Sequence, residues 1–263
     1  MVLVKPTKSR KELRHDRILS AFGANPSLRV NRLAEELGVS TETIRRDLAE
    51  LDRVGRLSRT YGGAVSAGNR FEPALNERLG LHLVERRAIA HAALERFGSA
   101  EALLLGGGAT MLIFARLLGR TQQRLTVITP AYQIAVELAA NPLIEVMLLP
   151  GIFDAQERLV YGPETIRAIQ RYRAQVALIG ASGLDEDGIS EAMLNAGELY
   201  SAMLEHTSQG VILADHSKFG KRALVLLRRW SAAMTLVTDR PPPPSLSAAI
   251  AEGGSQCVIA PEE

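Results

Sequence analysis

Apolar positions recur at helical spacing through the first part of the chain, then gather into short unbroken runs, and this change of period divides the sequence. In the first part Leu13, Ile18, Leu19 and Phe22 form a stripe that predicts a helix over 10–22, ended by "GANPS". "LRV" is a short extended piece. Asn31 stands where an N-cap would start a second helix with Leu33, Ala34 and Leu37 inward and Gly38 as its stop. Val39 fills the turn. Ser40 is placed to cap a third helix over 41–54 with Ile44, Leu48 and Leu51 buried. Thr43, where a capping box would have Glu, makes this a plain N-cap. After Gly55, Leu57, Arg59 and Tyr61 alternate with Ser58 and Thr60, and Gly62-Gly63 turns the chain, which predicts a β-wing.

The later runs are "EALLLG", "RLTVIT", "IEVMLLP", "QVALIGA", "GVILAD", "MTLVTD" and "QCVIA". Helical patterns separate most of them: "MLIFARLLG", "AYQIAVELAA", "ETIRAIQRYR" and "AGELYSAMLEH". Continuous apolar strands alternating with helices predict an α/β domain, a mainly parallel sheet with helices on both faces. "LVERRAIAHAALERF" predicts a helix leading into it. The small, polar, proline-interrupted "SAGNRFEPALNER" marks a boundary near residue 70. The expected organisation is a small helix-turn-helix domain over 1–70 and an α/β domain over 71–263. "PPPP" at 241–244 reads as a stiff polyproline connector.

Charge sharpens this division. The net +2 conceals a head, residues 1–70, with 14 basic and 8 acidic residues (+6), and a remainder with 17 basic and 21 acidic residues (−4). A basic head on a mildly acidic body points to a polyanionic partner for the head. There is no apolar run of the roughly 18 residues a membrane span needs, and the start lacks a signal peptide's apolar region. A single cysteine, Cys257, excludes an internal disulfide and fits the cytoplasm; in its strand it is expected to be a small buried hydrophobe. The five histidines show no metal-ligand spacing, so neither metal nor cofactor is expected.

A helix joined to a second by a glycine-containing turn is a helix-turn-helix, whose second helix presents N-terminal residues to base edges in the major groove. Ser40, Thr41, Glu42, Thr43, Arg45 and Arg46 occupy that end, and Arg59 and Tyr61 on the wing are available for backbone contacts. The competing reading is a solvated helix in which Arg45 and Arg46 pair with Glu42, Asp47 or Glu50. Cap, turn, glycine stop and wing agree on the first.

In the body, small residues stand at several strand ends, where α/β sheets bind ligands. "GGGAT" (Gly106, Gly107, Gly108, Ala109, Thr110) opens directly into a helix; Thr129 is followed by proline; "GASG" begins at Gly180; and "ADHSKFG" carries Asp215 and Lys218. Backbone N–H groups at a helix start can bind an anion, with Lys218 as countercharge.

"VSTETIRRDLAELDRVGRLSRTYGGA", residues 39–64, resembles the signature of the DeoR-type bacterial transcriptional regulators. The resemblance implies a winged helix-turn-helix with Thr43 to Asp47 at the heart of its recognition helix. "LLLGGGATMLIFARLL", "LTVITPAYQIAVELA", "VALIGASGLDEDGIS" and "LADHSKFGKRA" resemble successive segments of that family's effector domain, extending the likeness from about residue 10 to 240. The resemblance implies a fold similar to ribose 5-phosphate isomerase that binds a phosphorylated sugar or related metabolite. It places Gly106, Gly108, Thr110, Gly180, Asp215 and Lys218 on the effector-pocket segments. The chain departs from the pattern at Gly106, where the family often has an acidic residue, at Pro130, often Asn, and at Tyr200, aligned with a Lys. The expected function is a repressor of a catabolic or transport operon, controlled by an anionic or sugar-like effector and acting as a homo-oligomer on double-stranded operator DNA. The alternatives are a sugar-phosphate isomerase-like enzyme with Asp185, Asp187 or Asp215 as base, and an architectural DNA-binding protein with an oligomerising body.

Overall fold

Seven strands form one all-parallel sheet in the order β14-β13-β11-β8-β3-β4-β5, and every one coincides with an apolar run of the sequence. They are β3 (Ala102–Leu105), β4 (Leu125–Thr129), β5 (Ile144–Leu148), β8 (Ala174–Ile179), β11 (Thr207–Leu213), β13 (Met234–Thr238) and β14 (Gln256–Ile259). The computed structural model describes residues 11, 13–15, 17, 18, 21, 30–53, 57–60, 63–66 and 73–261, and only the backbone of 52, 53, 57–60 and 63–66. The chain divides into two compact units, Met1–Arg70 and Phe71–Glu263.

The sheet is covered on both faces because successive side chains point to opposite sides. Leu103 and Leu105 of β3 join Val127, Val176, Leu178, Val211 and Leu213 in one core, with α5 (Leu83–Phe97), α6 (Ala109–Leu118) and α7 (Tyr132–Leu138). Leu104, between them, joins Ile128, Ala177, Ile179, Ile212 and Leu236 in the other, with α8 (Pro163–Ile169), α9 (Leu194–Glu205) and α10 (Pro244–Glu252). β3 leads through α6 to β4 on one side, whereas β8 pairs with its other side. The order therefore reverses between β3 and β8, which opens a crevice beyond their carboxyl ends.

Two antiparallel excursions and one helix were not apparent from periodicity. β6 (Ile152–Asp154) and β7 (Leu159–Tyr161) form a hairpin, and β9 (Gly183–Asp185), β10 (Gly188–Glu191) and β12 (Val225–Arg228) form a small sheet. These strands are too short to establish an alternation. The proline run is not all connector: Pro243 is extended (φ −54°, ψ 155°), but Pro244 begins α10, a position where a missing N–H is harmless. The expectation of a buried Cys257 is corrected. It lies on β14, as read, but β14 is an edge strand and the thiol is exposed.

In the first unit, residues 11, 13–15, 17, 18 and 21 are helical (α1), followed by α2 (Val30–Leu37) and α3 (Thr41–Arg53). Ile18, Leu33, Ala34, Ile44, Leu48 and Leu51 make its core. Asn31 is not an N-cap: Val30 packs against that core as part of α2, so Asn31 lies within the helix. Gly38 ends α2 at φ +64°. β1 (Leu57–Thr60) pairs antiparallel with β2 (Gly63–Ser66), Thr60 opposite Gly63. Gly63 thus belongs to the second strand of the wing rather than to its turn.

Candidate functional site

α3 is held so that one face is committed to the core and the other is not. The Ser40 Oγ accepts the Thr43 N–H at 3.1 Å and lies 2.8 Å from the Thr43 hydroxyl, so the cap uses both side chains. Ile44, Leu48 and Leu51 are buried; Ser40, Glu42, Arg45 and Arg46 are exposed, and Thr41 and Thr43 are half-buried beside them. Arg46 approaches Glu42 only at 4.0 Å with both side chains solvated, a weak tether. Arg59 is on β1, of which the backbone alone is described, and Tyr61 lies outside the described residues.

The aspartate between these arginines and Leu48 does something the sequence reading did not foresee. Asp47 is buried and accepts both Arg14 Nε at 2.6 Å and Arg14 Nη2 at 3.2 Å, with His15 Nε2 at 3.1 Å. Burial alone would raise the Asp47 carboxyl, but the bonds and charges of Arg14 and His15 outweigh it and hold the group below its ordinary value. This ion pair ties α1 to α3 and so fixes how the exposed face carrying Arg45 and Arg46 is presented.

In the second unit a cleft with about 500 Å³ of empty space, its open mouth included, lies beyond β3, β8 and β11. After Leu105 the chain turns at Gly108, whose φ of +105° favours glycine, into α6, whose first turn has no side-chain cap. Gly107 donates its N–H to the Tyr200 hydroxyl at 3.1 Å. Asp215 begins the short 3-10 turn His216–Lys218, its Oδ1 accepting the Ser217 N–H at 3.0 Å and its Oδ2 accepting Arg86 Nε at 3.2 Å. Burial pushes the Asp215 carboxyl up, yet the Ser217 bond and the charges of Arg86 and Lys218 leave it below its ordinary value. Arg86 also donates to the Arg78 carbonyl, and Arg78 pairs with Glu157. Glu191 accepts from Ser182 Oγ at 2.9 Å and Ala192 N at 2.8 Å. Three cations (Arg78, Arg86, Lys218) and three carboxylates (Glu157, Glu191, Asp215) therefore line one cleft.

Of the residues expected at the effector site, Gly107, Gly108, Thr110, Gly180, Asp215 and Lys218 come together on its lining. Gly106 and Thr129 stand behind it. The Gly106 N–H continues the ladder to the Leu178 carbonyl at 2.8 Å, and the fully buried Thr129 Oγ1 accepts the Ala131 N–H at 3.1 Å where β4 turns toward α7. Asp185 and Asp187 lie elsewhere, bound to Arg222. His216 is held by Asp239, Nδ1 to Oδ2 2.7 Å, and stacks edge-on to His82. The sequence reading missed Arg78, Arg86, Glu157, Glu191 and Met193 on the lining. Arg86 left a signal: with Ile89, Ala90, Ala93 and Phe97 it falls on the buried stripe of α5, where a charge is out of place without a partner. Arg78 falls in the stretch whose composition marks a domain boundary, but "LNER" is a helical turn (α4, Leu75–Arg78) of the second unit.

Among the described residues no group of three His, Cys, Asp or Glu side chains is placed to hold a metal, and no helix is long and apolar enough to cross a membrane.

Comparison with known proteins matches both units. Residues 14–70 match the DeoR-like helix-turn-helix domain, and residues 81–240 match the DeoR C terminal sensor domain. The HTH-type transcriptional regulator YulB of Bacillus subtilis (strain 168) is 31% identical, over 86% of this chain and 88% of that protein. The HTH-type transcriptional repressor CsqR of Escherichia coli (strain K12) is 27% identical, over 95% and 96% respectively. The glycerol-3-phosphate regulon repressor of the same strain is 27% identical, over 89% and 92%.

Proposed function

The chain belongs to the DeoR family of transcriptional regulators, and from that premise we propose that its α3 arginines read an operator while the cleft beyond β3, β8 and β11 binds the controlling metabolite. The protein is a DNA-binding repressor whose operator affinity is set by a small molecule. The observation that carries the DNA reading is the exposure of Arg45 and Arg46 on a capped helix whose opposite face is locked by Ile44, Asp47, Leu48 and Leu51. Arginine forks suit guanine edges and phosphates alike.

The effector reading rests on the uncapped start of α6 facing a cleft that holds the buried Lys218. Phosphate oxygens would accept backbone N–H groups there, with Lys218 supplying charge. The effector is then a phosphorylated sugar or polyol, in keeping with a relative named for a glycerol-3-phosphate regulon. We read the protein as a cytoplasmic homo-oligomer with no cofactor and no catalytic role. An isomerase needs a general base at its substrate. Asp185 and Asp187 are off the cleft, and the carboxylates on it are engaged, Asp215 by Arg86, Glu157 by Arg78 and Glu191 by Ser182 and Ala192, while the relatives are named as regulators.

The test is operator affinity with and without a panel of sugar phosphates, alongside an assay of ligand conversion. The parent should respond by about 5- to 150-fold, the usual range of such coupling. Gly108→Val and Lys218→Ala should still bind operator but lose the response. Valine at Gly108 meets a φ of +105°, so its folding is checked by thermal melting. Normal response in both folded variants would show the pocket to be misplaced, and steady conversion by the parent would establish an enzyme.

A further inference from the structure

Tyr200 is buried to 5% exposure, yet its hydroxyl reaches the cleft lining. Gly107 fills that hydroxyl's acceptor side, and no described residue accepts its proton. A buried phenol with an unused donor points to a partner that arrives from outside. Gly106 lies against the ring: a Cβ there would be 3.2 Å from Tyr200 Cε1 and 3.1 Å from Ile179 Cγ2, so a larger residue requires one of these side chains to give by a few tenths of an ångström. Gly106 thus abuts Tyr200 although it touches none of the open space.

We propose that Tyr200 determines effector specificity: anchored by Gly107, its hydroxyl donates to an uncharged hydroxyl oxygen of the ligand's carbon chain. This rests on the reading of the cleft as a site for a phosphorylated effector. The Tyr200 donor is neutral, and burial with the charge of Glu191 keeps its proton on. Glu191 and Glu157 also line the cleft, and their charges act on the phenol. A second anionic group on the ligand would meet those two carboxylates where the nearby cation, Arg78, is already paired with Glu157. A hydroxyl can instead accept from Tyr200 and donate to a carboxylate. The ligand class is a monophosphate with a neutral polyol body, selected against bisphosphates and phosphorylated sugar acids.

The experiment measures binding to the full chain by calorimetry and thermal shift. Probes are glycerol 3-phosphate, ribose 5-phosphate, glucose 6-phosphate, 6-phosphogluconate, fructose 1,6-bisphosphate and inorganic phosphate. A neutral-bodied monophosphate should bind most tightly. Tyr200→Phe should weaken that compound by about 2- to 13-fold, the worth of one neutral hydrogen bond, and leave inorganic phosphate unchanged. A merely structural tyrosine, needed to hold Gly107, would weaken both alike, which would overturn the proposal. So would unchanged binding of the monophosphate, or preference for 6-phosphogluconate or the bisphosphate. If no probe binds, the phosphorylated-effector reading itself fails and the assignment of Tyr200 falls with it.

Discussion

Asp47 and the arginines beside it show how adjacent residues divide labour on one helix. Burial decides the division: Asp47 turns inward to Arg14 and His15, Arg45 and Arg46 outward to solvent. Arg45→Ala or Arg46→Ala should weaken operator binding by about 1 to 3 kcal/mol where the side chain reads a base, measured by fluorescence anisotropy on labelled operator. Arg59→Ala should weaken specific and non-specific DNA alike and flatten the salt dependence by about one counterion. Asp47→Asn should instead lower the head's stability by about 1 to 3 kcal/mol, since the half-buried Arg14 and His15 lose a charged acceptor. The Asp47 carboxyl is held below its ordinary value in the folded head. Its stabilisation is thus fully present above about pH 4, the unfolded value, and is lost as pH falls through the lower folded one. Urea unfolding followed by helical circular dichroism at pH 6 and pH 3 should show that loss in the parent and a smaller one in Asp47→Asn.

Among the elements, the short antiparallel excursions matter beyond their length. β10 delivers Glu191 to the cleft, and the β6–β7 hairpin delivers Glu157. The turn before β10 depends on Gly188, whose φ is +139° and whose added Cβ would lie 2.2 Å from the Arg228 carbonyl oxygen of β12. Gly188→Ala should part β10 from β12, at roughly 2 kcal/mol or more from strain and the displaced carbonyl. For a unit of this size that is a fall of about 4 to 8 °C in Tm. Calorimetry of the full chain tests it, and a parental Tm would show that the small sheet yields freely.

For the molecule as a whole, one winged head offers few contacts to a duplex, and two heads on one operator add avidity. The full chain should sediment as at least a dimer at micromolar concentration. Residues 1–70 alone should bind operator about 100-fold more weakly or worse. Tyr132 and Phe153, each more than half exposed and packed edge-on to one another on the second unit, offer apolar surface for such assembly. A monomeric full chain with an equally tight fragment would exclude a role for assembly in DNA binding.

Periodicity by itself determined the seven parallel strands and the order of the helix-turn-helix, because both are written in residues only a few positions apart. The Ser40 cap, the Gly38 stop and the glycine loop opening α6 were legible for the same reason. Which side chains meet across the cleft depended instead on strand order. Arg78 reaches Glu157 79 positions away, Gly107 reaches Tyr200 93 away and Arg86 reaches Asp215 129 away. No local pattern encodes such distances; only the reversal of order between β3 and β8 brings their loops together. The exposure of Cys257 was decided likewise, by the place of its strand at the sheet's edge, where less of the chain remains to cover it.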